Sequence, residues 1–255
     1  MIYDLLAGVY DKINAELDYS AWADFIEKII ADNYGKRAEL ILDLAAGTGK
    51  MTLELASRGY DMTAVDGSPE MLDRGRMEAQ KRGLDGILWL LQDMRSFELY
   101  GTVDAVVCCL DSINHLTSPK DVKQCFSLVH NYLFPNGIFI FDVNAKGKFE
   151  RIYADRTYVY DTEDSFCIWE NYYDADRSVC DFLITLFKEN ADGTYDRFEE
   201  CGRERMYTLR SLLSYLKQTG FELIGVYKDF AFSEGTDGDE RLYIAAKCIK
   251  NTEEK

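Results

Sequence analysis

At 255 residues the chain is long enough to bury a full hydrophobic core, and one domain carrying an insertion is the natural expectation. Its 29 basic residues against 45 acidic ones leave a formal net charge of −16 with no basic stripe, which argues against nucleic acid as a partner. Seven cysteines without a C-x-x-C pair, and two histidines, speak against a metal site and suit a reducing cytoplasm; no apolar run is long enough for a membrane span, and Asp4 stands where a signal peptide would carry positive charge.

Residues 1–33 carry apolar side chains at helical spacing (Leu5, Leu6, Val9, Ile13, then Trp22, Phe25, Ile26, Ile29 and Ile30) and read as a broken amphipathic helix. A strand is expected at Leu40–Ala45, a helix at Lys50–Arg58 closed by Gly59, and a second strand at Asp61–Asp66. Ser68-Pro69-Glu70 supplies the N-cap, N1 proline and first-turn acid of a helix running to Arg82, with Gly83 beyond its end. Strands three and four follow at Ile87–Gln92 and Ala105–Leu110. Ser118-Pro119 opens another helix ending near Leu133, and Pro135-Asn-Gly137 turns into strand five, Ile138–Val143. Continuously apolar strands alternating with helices predict an α/β fold, a doubly wound and mostly parallel sheet covered on both faces, with its ligand along the strand C-termini.

From Tyr158 to Tyr207 the pattern changes to period two, rich in aromatics, with turns at Asp176-Arg-Ser178 and Asn190-Ala-Asp-Gly193. This reads as antiparallel hairpins forming a small sheet inserted after strand five. A helix at Leu209–Gln218 and strands near Glu222–Phe230 and Arg241–Ile249 finish the chain. The acidic link Ser233–Glu240 reads as mobile.

The chemistry begins at Ile41-Leu-Asp-Leu-Ala-Ala-Gly-Thr-Gly49, a buried strand breaking into a glycine loop. Such a turn usually offers a helix N-terminus to phosphate, with glycines spaced G-x-G-x-x-G. Here the third position of that pattern is Thr52, and an ionised Asp43 would repel a pyrophosphate. Asp66, at the end of strand two, is placed to accept from ribose hydroxyls. A ligand with a ribose and with ammonium and sulfonium charges, such as S-adenosylmethionine, fits the two acids. An ordinary strand–turn–helix with two exposed carboxylates is the bland alternative.

With these motifs in order, the chain resembles the class I S-adenosylmethionine-dependent methyltransferases, and most of all bacterial N-methyltransferases of amino sugars or glycine, which share Tyr10-Asp11, Tyr19 and Trp22 and the β insertion. The resemblance implies a seven-stranded sheet ending in an antiparallel hairpin. It also implies an N-terminal helical lid (1–33), a cofactor domain (34–147 and 208–255) and a substrate cap (148–207). The loop residues Asp43, Ala45, Ala46, Gly47 and Gly49 are then cofactor-binding, with Ala45 where the family has its first glycine. Asp66-Gly67-Ser-Pro-Glu-Met71 resembles the second motif, its acid on ribose and its Met on adenine. Gln92-Asp93-Met94 resembles the third, its acid on the adenine amine. A Met on its own would more simply be core filling.

Cys109-Leu110-Asp-Ser-Ile-Asn-His115 leaves strand four toward the ligand edge. Cys109 and Leu110 are assigned to the cofactor, and Asp111, Asn114 and His115 to the transferring methyl, with His115 a candidate proton acceptor. Tyr10 and Trp22 are assigned to the cofactor lid, Tyr10 also to catalysis, while Tyr3 and Tyr19 read as helix packing. Trp169, Arg205 and Tyr207 would wall the substrate cavity. Relatives often carry a histidine three residues before that Arg, where this chain has Gly202.

The expected activity is in-line methyl transfer to a small acceptor, most simply an amine, by a monomer or homodimer needing no metal. Transfer to oxygen, to RNA or to protein, and a regulator that binds the cofactor without turnover, stand as alternatives. A nicotinamide oxidoreductase is disfavoured by Asp43 and the missing third glycine.

Overall fold

The structure is a computed structural model that describes residues 17–161 and 165–250. The first described helix, α1 (Tyr19–Asn33), starts where the Asp18 carboxylate accepts from the Ala21 N–H at 2.9 Å. Its apolar stripe is buried from Trp22 to Ile30. The chain then alternates β1 (Leu40–Leu44), α2 (Lys50–Ser57), β2 (Asp61–Asp66), α3 (Pro69–Arg82), β3 (Leu88–Leu91), β4 (Val103–Cys108), α4 (Pro119–Tyr132) and β5 (Leu133–Asn144). Ser68 caps α3 through the Met71 N–H, and Gly83 ends it at φ +65°, a left-handed position that suits glycine. The helix α5 (Leu209–Gln218) and strands β10 (Phe221–Tyr227) and β11 (Arg241–Cys248) close the chain.

The main sheet has seven strands in the order β10-β11-β5-β4-β1-β2-β3. β3, β2, β1, β4 and β5 are parallel, while β11 runs antiparallel to β5 and β10 antiparallel to β11. The strand order reverses between β1 and β4, so a crevice forms beyond their C-terminal ends. One face packs on α4 and α5 through Phe126, Phe139, Phe141 and Leu212; the other packs on α1 and α2 through Trp22, Phe25, Ile41 and Met51. No helix among the described residues is long and apolar enough to cross a membrane.

The insertion forms a separate antiparallel sheet of β6 (Thr157–Asp161), β7 (Ser165–Asp174), β8 (Val179–Glu189) and β9 (Tyr195–Arg205), in that order. A short helix, Lys146–Lys148, and a π turn, Phe149–Tyr153, connect it to β5. It is fastened there by Phe149, Tyr153 and Cys180, with Tyr173 and Met206 against them.

Two expectations need correction. Strand five does not wait for Pro135-Asn-Gly137: Leu133 already pairs with Val103, and the extra residues are absorbed as a register shift with Asn136 at φ +64°. The link 233–240 is anchored, not loose. The Asp237 carboxylate accepts from the Leu209 N–H at 2.7 Å, and the backbone carbonyls of Asp237 and Glu240 accept from the Gly147 N–H at 3.1 Å and the Ala145 N–H. These partners are distant in sequence, which composition alone does not reveal.

Candidate active site

At the switch point β1 and β4 both break in left-handed backbone. Ala45 stands at φ 59°, Gly47 at 57° and Gly49 at 75°; across from them stand Leu110 at 59° and Asp111 at 51°. Non-glycine residues there are strained, and such strain gathers where a chain must present backbone to a ligand. Between these turns lies a cleft of about 390 Å³, within the range of small-molecule sites. Ala45, Gly47, Asp66, Gly67, Gln92 and Leu110 line it, and Met71 and Met94 give it apolar walls. A recess of about 40 Å³ continues past Ala45, Gly47, Leu110 and Ser112 to Asp43, Ala46, Cys109, Tyr19 and Lys50.

Asp66 is held rigidly, one oxygen accepting from the Gly47 N–H and the other from the Ser68 N–H, each at 2.8 Å. Asp43 is 1% exposed, and burial pushes its pKa up to about 6 against the opposing hydrogen bond from Thr52 Oγ1 at 2.6 Å. Thr52, where a dinucleotide loop would have its third glycine, therefore serves to hold this acid. Gly49 answers a different need. A Cβ there would lie 2.4 Å from the Trp89 ring, so its role is close packing of the loop on β3, and it does not line the cleft. Asp93 does line the cleft, but Arg95 grips its carboxylate at 2.9 Å and holds it below the usual carboxylate range. Gln92 turns its amide to the Glu98 backbone.

Beyond Leu110 the cleft meets Ser112 and His115. Behind them lies a buried ion cluster that brings together distant parts of the chain. Arg241, from β11, donates to Asp111 at 2.7 Å and to Asp142 of β5, and Asp142 also accepts from the Asp111 N–H. Burial works against Asp111, yet the Arg241 charge holds it below the usual range; at Asp142 burial wins and the carboxyl is pushed up. Glu204, at the end of β9, is 2% exposed and bonds Asn144 Nδ2 at 2.9 Å and the Tyr153 hydroxyl at 3.2 Å. Burial and then the Asp111 charge raise its pKa. Lys148 donates to Asn144 Oδ1 at 3.0 Å, and its pKa is lowered by burial and then by Arg241.

Several assigned residues lie elsewhere. Trp22 is 2% exposed inside the α1 core, against Phe230 and Tyr243, and does not reach the cleft; Tyr19, read as packing, lines the recess. Asn114 is wholly buried and fully engaged. Its amide donates to the Asn144 and Arg205 carbonyls and its oxygen accepts from the Asn144 N–H, so it is a staple and not a catalyst. Trp169 packs on Phe182 and donates to Asn171, and does not line the cleft. Tyr207 is buried with its hydroxyl on the Leu116 carbonyl, and Arg205 reaches the Thr117 carbonyl at 3.4 Å. Both fasten the insertion to the loop after β4 and do not line the cleft. At Gly202 a Cβ would lie 2.1 Å from the Phe182 ring, which fills that side-chain space and meets His115 edge-on at 6.4 Å. Tyr3 and Tyr10 lie outside the described residues. Sequence reasoning missed Lys50, Glu204, Lys148 and Arg241. Nothing in their local pattern marks them, because topology alone brings the last three to Asp111.

Residues 41–137 match the family described as a methyltransferase domain. The chain is 35% identical to YqeM of Bacillus subtilis (strain 168), over 98% of each chain. The crystal structure of an S-adenosylmethionine-dependent methyltransferase from Clostridium acetobutylicum ATCC 824 superposes with a TM-score of 0.87 at 30% identity, covering 97% of this chain and 99% of that one. The chain belongs to the S-adenosylmethionine-dependent methyltransferases. This methyltransferase is also 28% identical to the glycine/sarcosine N-methyltransferase of Halorhodospira halochloris, over 94% of this chain and 87% of that protein. Its cofactor is S-adenosylmethionine, and the cleft suits that molecule. It offers an oriented carboxylate for hydroxyl donors, apolar walls for a planar base, and a recess whose charged lining residues are Asp43 and Lys50.

Proposed function

We propose that this methyltransferase transfers a methyl group to the nitrogen of a small amine. The observation that carries the reading is the continuity of the cleft. One cavity runs from Asp66 and Met71 past Leu110 to Ser112 and His115, so a cofactor seated by its ribose directs its far end toward polar residues of the loop after β4. The likeness to a glycine/sarcosine N-methyltransferase over most of the chain supports an amine acceptor.

Bound S-adenosylmethionine supplies a methyl group on a positively charged sulfur. The chain's own part is binding and orientation. Asp66 would accept from the ribose hydroxyls, Met71 and Met94 would sandwich the base, and Asp93 would offer it an edge contact from within its Arg95 pair. Asp43 and Lys50 are the opposite charges that an amino-acid zwitterion calls for. Alignment of an acceptor nitrogen by the Ser112–His115 turn would supply much of the rate acceleration, since fixing two reactants in line removes a large entropic barrier. We place the enzyme in the reducing cytoplasm, where its seven free cysteines, six of them buried, persist as thiols.

Incubation with labelled S-adenosylmethionine and a panel of small amines tests the reading. Label transferred to nitrogen is the expected result, and label found on oxygen, or no transfer to any amine, overturns it. Calorimetry tests the cofactor seat: Asp66→Ala should weaken S-adenosylmethionine at least about tenfold, since hydrogen bonds to a charged group contribute about 1.5–3 kcal/mol each. Unchanged affinity would move the ribose away from Asp66.

A further inference from the structure

The loop after β3 is braced more firmly than its place at the surface requires. Gln92 folds its side chain back on the Glu98 backbone, accepting from the Glu98 N–H at 2.6 Å and donating to the Glu98 carbonyl at 3.2 Å. Phe97 is wholly buried against Tyr132 and anchors the loop in the core. The Ser96 N–H closes a turn on the Asp93 carbonyl at 2.9 Å. Within this frame the Asp93 carboxylate meets one residue three times. The Arg95 backbone N–H donates to Oδ1 at 2.8 Å, the Arg95 Nε–H is shared between Oδ1 at 2.9 Å and Oδ2 at 3.1 Å, and a terminal N–H donates to Oδ2 at 2.5 Å.

Both side chains are about half-exposed, and ion pairs so exposed contribute little to stability, so stability does not account for a threefold grip. A carboxylate has about four acceptor sites. Among the described residues, the Arg95 hydrogens use three of them and leave one, on an acid that lines the cleft beside Met94. Arg95 lines the cleft too, and its other terminal nitrogen faces Asp121, in the first turn of α4, at 3.9 Å. The guanidinium is thus held between two elements that border the cleft. Its hydrogen bonds keep Asp93 ionised, below the usual carboxylate range. An ionised acid with one open acceptor site takes a single N–H donor and gives no bond to a base edge that lacks one.

We infer that Arg95 is a positioning residue for cofactor recognition: by occupying three acceptor sites of Asp93, it aims the fourth at the exocyclic amine of the bound adenine. Asp93 touches the base, and Arg95 acts only through Asp93. Together they make the site selective for a purine that carries an amine at that edge. This deepens the reading of the cleft as the cofactor seat, with the base between Met71 and Met94, and rests on it. The planar fork of the guanidinium is essential to the role, because an ammonium in its place supplies charge without fixing the carboxylate plane.

The test is calorimetry with two ligands, S-adenosylhomocysteine and its analogue with hydrogen in place of the adenine amine. Wild-type enzyme should prefer the first at least about tenfold, as one hydrogen bond to a charged acceptor implies. Asp93→Ala should abolish the preference. Arg95→Ala should cut it to about threefold or less by weakening S-adenosylhomocysteine alone, and Arg95→Lys should do the same. Equal affinity of the two ligands for the wild-type enzyme overturns the proposal and needs no variant to fold. An equal loss of both ligands in Arg95→Ala also overturns it, since a merely structural residue would act on both. So does a full preference kept by Asp93→Ala, Arg95→Ala or Arg95→Lys; in the last case charge alone would suffice. Failure of both ligands to bind the wild-type enzyme would instead overturn the reading of the cleft as the cofactor seat.

Discussion

Asp43 is kept at the cofactor recess at a cost to the fold. Its carboxyl is pushed up to about 6 by burial, above its value in an unfolded chain. A raised acid favours the folded state only while protonated, so wild-type stability falls as pH rises from about 4 through 6 and stays lower above. Asp43→Asn removes that dependence and keeps an oxygen for Thr52. It should be more stable than wild type at pH 8 by up to about 3 kcal/mol, with the difference gone at pH 4, in urea melts at the two pH values. Calorimetry should show the same variant binding S-adenosylmethionine more weakly, a stability gained at the site's expense. The identity of Asp43 as a site acid was legible from its place before the glycine loop, but its burial and its hold on Thr52 were not. Trp22 shows the complementary limit. Helical spacing puts Tyr19 and Trp22 on neighbouring faces of α1, and only the packing of Phe230 and Tyr243 decides which one enters the core. Trp22→Ala should cost about 3–5 kcal/mol in denaturant melts while leaving cofactor affinity of the folded protein unchanged.

At the scale of elements, the turn Ser112–His115 is the hinge between the cofactor sheet and the insertion. Asn114 ties it to Asn144 at the end of β5 and to Arg205 at the end of β9. Asn114→Ala leaves three buried backbone groups unsatisfied. We expect a loss of about 2–4 kcal/mol, read as a lowered melting temperature. S-adenosylhomocysteine affinity should change little, since Asn114 touches neither the cleft nor the recess. The parallel strands, their helices and the period-two hairpins were legible because hydrophobic period and cap residues are local signals. The early start of β5 and the anchoring of 233–240 were not, because both depend on partners far along the chain.

At the scale of the whole molecule, the ion cluster joins the last strand, the fifth strand, the loop after β4 and the insertion. Arg241 is its keystone. Arg241→Met removes the cation that both Asp111 and Asp142 bond and leaves only the more distant Lys148 charge near them, and should cost about 3–5 kcal/mol at pH 8. Because unpaired buried carboxyls titrate high, the deficit should shrink as pH falls toward 5, which melts across that range would show. No sequence window contains this cluster, since Asp111 and Arg241 are 130 residues apart. The insertion also carries a constraint on its own variation. Phe182 occupies the space that a side chain at position 202 would need, so position 202 cannot gain a side chain while the ring stays where it is. A lineage acquiring a histidine at 202 must first shrink residue 182, and one losing it gains room for an aromatic ring. The two positions should therefore be inherited as a pair, and their joint identity should sort the branches of this family by what their insertions can touch.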